Sequence, residues 1–117
     1  MSQICIYHNP RCSKSRETLA LLESRQLQPE VIRYLETPPD VATLQQLVRQ
    51  LGLTSVRQLM RSKEELYRSL ELDNPALDEE TLYRLLAEHP LLLERPIVVK
   101  DGQARIGRPP EQVLEIL

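Results

Sequence analysis

The residues best suited to chemistry lie in one short run, "HNPRCSKSR", residues 8–16. Cys12 stands there just after an Asn-Pro turn, with His8, Arg11, Lys14 and Arg16 within a few positions. A free thiol has a pKa near 8.5, so only about 3% is thiolate at pH 7. Lowering the pKa by about two units makes the thiolate the major form and needs about 2.7 kcal/mol of preferential stabilisation. Helix N-termini and nearby cations are sources of such shifts. The run from Ser13 reads as the start of a helix, so its backbone N–H groups would face the sulfur or an oxyanion beside it. Lys14 and Arg16 in the first turn are disfavoured by the helix dipole, by about 0.3–1 kcal/mol each. Something negative there, thiolate or oxyanion, would offset that cost. The competing reading of Cys12 is a small buried hydrophobe that happens to precede a helix.

The spacing "CSKS" limits the chemistry. A local redox dithiol would place a second cysteine where Ser15 stands. Cys5, the other cysteine, falls in the apolar run Ile4–Tyr7 and reads as an inert strand residue. Redox chemistry at Cys12 would therefore need an external thiol. Cys5, His8, Cys12 and His89 do not have zinc-finger spacing. His89 precedes Pro90 and reads as a helix end, while His8 is left between orienting the loop and simple exposure.

The elements that must position Cys12 follow from the rest of the chain. Gln3–Tyr7 reads as a short buried strand. A helix follows from Ser13 to about Arg25, with Leu19, Ala20, Leu21 and Leu22 as its apolar face. Glu30–Leu35 reads as a second strand, and a βαβ unit of this length implies parallel strands. Asp40 caps a helix with Val41, Leu44, Leu47, Val48 and Leu51 at helical spacing, stopped by Gly52. Helices are also expected over Val56–Met60 and Lys63–Leu70, the latter with a Ser62/Glu65 capping box. Another runs from Asp78 through Glu88. Strands return at "PIVV" and "QARIG", joined by a tight turn at Asp101–Gly102. "RPPEQVLEIL" reads as a final short helix with Pro at its start and Glu111 in its first turn. The order β-α-β, helical insertion at about 40–89, β-β-α fits one α/β domain over 1–117, a thioredoxin-like mixed four-stranded sheet carrying a helical subdomain.

Composition narrows the function classes. The 117 residues are 41% apolar and 27% charged, with a net charge of −2. No basic field favours nucleic acid, and four tyrosines without Trp or Phe leave few stacking platforms. No apolar run approaches membrane-spanning length, and Met1–Tyr7 lacks the pattern of a signal peptide. A cytoplasmic protein without membrane or nucleic-acid partners is the expectation.

Taken together, "IYHNPRCSKSRETLALLE", "YLETPP", "LMRSK", "ERPIVV" and "RIGRPPEQVLEIL" resemble the glutaredoxin-linked arsenate reductase family of thioredoxin-like proteins, over essentially the whole chain. The resemblance implies Cys12 as nucleophile, with His8 helping to keep it deprotonated. It implies Arg61, Arg95 and Arg108 as oxyanion-binding guanidiniums, whose planar forks suit tetrahedral oxyanions. Ser15 and Pro96 would support the site, with Arg95–Pro96 at the position of a cis-proline beside the thiol; X–Pro bonds lose most of the trans preference. The implied reaction is reduction of arsenate to arsenite, with no tightly bound cofactor or metal, glutathione as co-substrate and glutaredoxin as partner. Two departures stand out. Long members continue past the final "VLEIL", and they tend to carry a cysteine where this chain has Gly107. Two other functions fit the same superfamily. One is a thiol-dependent reductase or deglutathionylating protein, whose arginines would bind a carboxylate. The other is an Spx-like regulator acting by contact with RNA polymerase. Many Spx-type proteins carry a second cysteine at the place of Ser15, so Ser15 and the arginine set favour the enzyme.

Overall fold

The computed structural model describes residues 3–117, which divide into two compact units. The first comprises the chain up to Thr37 together with Arg95–Leu117, and the second is Pro38–Glu94.

The first unit is built on four strands, β1 (Ile4–His8), β2 (Glu30–Arg33), β3 (Ile97–Lys100) and β4 (Gln103–Ile106), in the order β2-β1-β3-β4. β1 pairs parallel with β2, Cys5 opposite Glu30 and His8 opposite Arg33. It pairs antiparallel with β3, Tyr7 opposite Ile97, and β3 pairs antiparallel with β4. This is the mixed sheet expected of a thioredoxin-like fold. The β3–β4 turn uses Asp101 at φ 52° and Gly102 at φ 77°, the two positive values that a tight hairpin requires. Helix α1 (Ser13–Ser24) and a 3₁₀ segment, Pro110–Ile116, complete the unit. Ile6, Leu22, Val98, Val113 and Ile116 form its buried cluster, with Leu19, Leu21 and Leu27 partly buried against it.

Several local expectations are corrected. β1 is shifted by one residue, and β2 ends at Arg33 because the Glu36 and Thr37 N–H groups turn back to the Arg33 carbonyl. Ala20 is exposed; the stripe of α1 that is buried is Ser15, Thr18 and Leu22. Two hydroxyls can lie there because both are bonded, Thr18 Oγ1 donating to the Lys14 carbonyl at 2.8 Å and Ser15 as described below. The expected short closing helix is present, as a 3₁₀ helix over Pro110–Ile116.

The second unit contains α2 (Val41–Leu51), α3 (Glu65–Ser69) and α4 (Glu79–Glu88), with 3₁₀ turns at Val56–Leu59 and Pro90–Leu92. Asp40 and Asp78 cap α2 and α4 by accepting the Thr43 and Thr81 N–H groups, each at 2.8 Å. Gly52 ends α2 at φ 73°, in the left-handed conformation that glycine adopts without steric cost. The expected Ser62/Glu65 box is absent. A turn bonded from the Glu64 N–H to the Arg61 carbonyl encloses Ser62, and α3 starts only after Glu64. The capping box lies instead at Ser55 and Gln58.

Candidate active site

Cys12 is the N-cap residue of α1, in extended conformation with its side chain ahead of the first turn. The turn before it is fastened at both ends. The Cys12 N–H donates to the Asn9 carbonyl at 3.0 Å, and Asn9 Oδ1 accepts the Arg11 N–H at 3.0 Å. Asn9 is buried. Its role was legible in the Asn-Pro dipeptide, since asparagine commonly bonds backbone two residues on, but the sequence reading did not assign it one.

Burial pushes the Cys12 thiol up. It is outweighed by the Ser15 N–H, the Arg108 guanidinium, the Lys14 N–H and the Arg95 side chain, and the thiol lies below its ordinary 9.0. Arg108 Nη2 stands 3.5 Å from Cys12 Sγ, and Arg108 Nε donates to the Arg95 carbonyl at 2.8 Å. The helix start thus contributes through its backbone donors. The expected offset of Lys14 and Arg16 by the thiolate is not what the structure contains. Lys14 Nζ pairs with Glu17 at 3.4 Å, and Arg16 Nη1 donates to the Pro10 carbonyl at 3.0 Å. The cations acting on Cys12 come from the far end of the chain.

Ser15 is fully buried, and its hydroxyl is engaged twice: it accepts the Asn9 N–H at 3.0 Å and meets His8 Nδ1 at 2.6 Å. Ser15 therefore links His8 to the Cys12 loop. His8 is held below 6.5 by burial, then by the nearby positive charges of Arg33 and Arg16, against a weaker opposing effect of Glu23. Burial and the two arginines thus disfavour the cationic ring, and the contact of His8 with the Cys12 loop runs through Ser15.

Arg95 is buried and precedes Pro96 through a cis peptide bond; Arg108–Pro109 is also cis. The Gly107 N–H donates to the Pro96 carbonyl at 2.9 Å. A Cβ at Gly107 would stand 2.5 Å from Thr18 Oγ1 and 2.9 Å from Pro96 Cγ. The absence of a side chain there lets the backbone before Arg108 pass close to α1 and the Pro96 loop. The sequence reading registered Gly107 only as a departure and missed this role.

The structure thus gathers Cys12, His8, Ser15, Arg95, Pro96 and Arg108 in the first unit. Arg61 lies in the second, half-buried, with Nη1 3.1 Å from Glu64 Oε1 and its N–H donating to the Leu92 carbonyl at 2.7 Å. A bridge between Met60 and Leu93 holds that segment. Among the described residues, no group of three or more His, Cys, Asp or Glu side chains is arranged to hold a metal ion, and no helix is long and apolar enough to cross a membrane. Chemically, the arrangement is a thiol whose ionisation is favoured, beside guanidinium donors.

Known proteins resemble this chain over its whole length. The chain is 53% identical over 117 residues, the whole of both chains, to an arsenate reductase of Neisseria meningitidis serogroup B. It is 54% identical over 114 residues to an arsenate reductase of Haemophilus influenzae, covering 97% of this chain and 98% of that one. The structure of an arsenate reductase from Vibrio cholerae matches at a TM-score of 0.97 and 62% identity over 98% of each chain. The model of the ArsC family matches residues 7–116. This chain belongs to the ArsC family.

Proposed function

We propose that this protein reduces arsenate to arsenite at Cys12, with glutathione and glutaredoxin as external reductants in the cytoplasm. The observation that carries the reading is the Arg108 guanidinium 3.5 Å from Cys12 Sγ, which pairs a nucleophile with an oxyanion ligand. The full-length likeness to arsenate reductases supports the choice of substrate.

Arg95 and Arg108 hold the oxyanion, and Arg61 is assigned as the third guanidinium on the pattern of the family. The Cys12 thiolate attacks arsenic; an As–S bond forms, an As–O bond breaks, and the oxygen leaves as water after taking up protons. Glutathione adds to arsenic with loss of a second oxygen. The glutaredoxin thiolate then attacks the glutathione sulfur. The electron pair of that As–S bond stays on arsenic, which passes from +5 to +3, and a mixed disulfide departs. Hydrolysis of the remaining As–S bond releases arsenite and restores Cys12. Ser15, placed where a resolving cysteine would stand and bonded to His8, agrees with an external rather than an internal second thiol. Phosphate, of similar shape and charge, is expected to bind without turnover, because a thiolate displaces oxygen far more readily at arsenic than at phosphorus.

The test is arsenate-dependent NADPH oxidation coupled through glutathione reductase, glutathione and glutaredoxin. Wild type should turn over and Cys12→Ser should not. Folded wild type without turnover would overturn the function while leaving the fold untouched.

A further inference from the structure

On the β2 side of the Cys12 loop lies an open groove of about 290 Å³, lined by His8, Asn9, Pro10, Arg11, Arg33, Leu35 and Glu36. Its walls are the loop that carries the nucleophile and the segment that follows β2, both within the first unit. Of its lining residues, only His8 enters the arsenate chemistry above, through its bond to Ser15.

The groove has a definite chemical character. Leu35 is one of three large apolar side chains left exposed among the described residues, and Pro10 adds a second apolar surface. Arg11 is exposed. Arg33 Nη1 lies 3.8 Å from Glu36 Oε2, with both side chains more than half exposed. A pair that long and that solvated contributes at most a few tenths of a kcal/mol, so an incoming carboxylate can replace it. His8, also in the lining, has its cationic form disfavoured by burial and by the positive charge of Arg33 and Arg16, against a weaker effect of Glu23. The local field therefore favours an anion. Arg11 is the chain neighbour of Cys12, about 3.8 Å away between Cα atoms. The groove therefore adjoins the loop that carries the nucleophile.

We infer that this groove is the docking subsite of the thiol donor, an anionic thiol peptide of the glutathione class, with its carboxylates toward Arg11 and Arg33 and its aliphatic stem over Leu35 and Pro10. Charge complementarity and nearness to the nucleophile select this occupant over a neutral thiol. Its physiological meaning rests on the proposed reductase reading, but its test does not need arsenate.

The experiment follows the reaction of Cys12 with two disulfides by mass spectrometry: glutathione disulfide, which is anionic, and hydroxyethyl disulfide, which is neutral. In each case the Cys12 thiolate attacks one sulfur, the S–S bond breaks, a Cys12 mixed disulfide forms and one thiolate leaves. Wild type is compared with Arg33→Glu, Arg33→Gln and, as a control of equal charge change, Arg25→Glu on an exposed site at the end of α1. Arg33→Glu should lower the glutathione-to-neutral rate ratio about tenfold, Arg33→Gln by a smaller factor, and Arg25→Glu by less than about twofold. An unchanged ratio in both folded Arg33 variants would overturn the subsite, as would an equal fall in Arg25→Glu. Lack of reaction of wild-type Cys12 with either disulfide would overturn it too. Absence of arsenate turnover, by contrast, would remove the proposed function and leave this measurement standing.

Discussion

Cys5 and Cys12 are both free and both half-buried, yet their surroundings push them in opposite directions. Cys5 lies on β1, where burial and the Glu30 carboxylate raise its thiol and the Val99 backbone bond only partly opposes them. At Cys12 burial acts the same way, but two backbone N–H groups and two arginines reverse it. Partial burial raises both thiols; the Glu30 carboxylate adds to it at Cys5, whereas the groups facing Cys12 reverse it. β1 pairs with strands on both sides, and the strand opposite Cys5 presents a carboxylate; the loop beyond β1 opens onto a helix N-terminus and the Arg108 segment.

The hardest way to break this contrast is to remove Arg108. Arg108→Ala should lower arsenate kcat/KM by about 10²–10³, the range found when one preorganised donor is lost from a charged transition state. Steady-state kinetics with arsenate checks it, and the wild-type value in a folded variant would remove Arg108 from the site. A direct reading of the two thiols comes next. Near pH 7, iodoacetamide should alkylate Cys12 at least about tenfold faster than Cys5, because the thiolate is the reacting form. Peptide mapping over a time course gives both rates in one sample, and equal rates would cancel the difference drawn between the two cysteines.

The smallest effect is on stability. Cys12 loses its proton more easily when folded, so between its folded value and 9.0 the unfolded chain holds more protons and stability rises with pH. That contribution is present above 9.0 and is lost as pH falls through the folded value. Cys5 has the opposite sign: its contribution is present below 9.0 and is lost as pH rises through its raised folded value. Urea unfolding across pH 6–10 should therefore show a flatter rise in stability for Cys12→Ser than for wild type, and a smaller alkaline loss for Cys5→Ser. Identical slopes in the two variants would contradict both directions.

Much of the fold was legible because it depends on local preferences. Asp40, Asp78 and Gly52 punctuate helices in the sequence and in the structure alike, and Asp101–Gly102 makes the hairpin that its φ requirements demand. Where two segments satisfied one local rule, the sequence could not choose between them. Ser55-x-x-Gln58 and Ser62-x-x-Glu65 both have the form of a capping box; the first closes through its own bonds, while the turn at Arg61–Glu64 takes up Ser62 and leaves the second unformed. The α1 face was misread for a related reason. Ser15 and Thr18 look like solvent-facing residues until their hydroxyls find partners in the loop and the preceding turn.

The sequence by itself determined the thiol ahead of a helix, the missing second cysteine at Ser15, and the order of strands and helices. Each of these is set by residues close together in the chain, where spacing and backbone preference act directly. Only the tertiary structure decided which charges reach the sulfur. The nearby Lys14 and Arg16 turn to Glu17 and to the Pro10 carbonyl, while Arg95 and Arg108 come to Cys12 from the other end of the chain. Electrostatic attraction depends on distance in space, and β3, lying beside β1, returns the C-terminal part of the chain to the Cys12 loop.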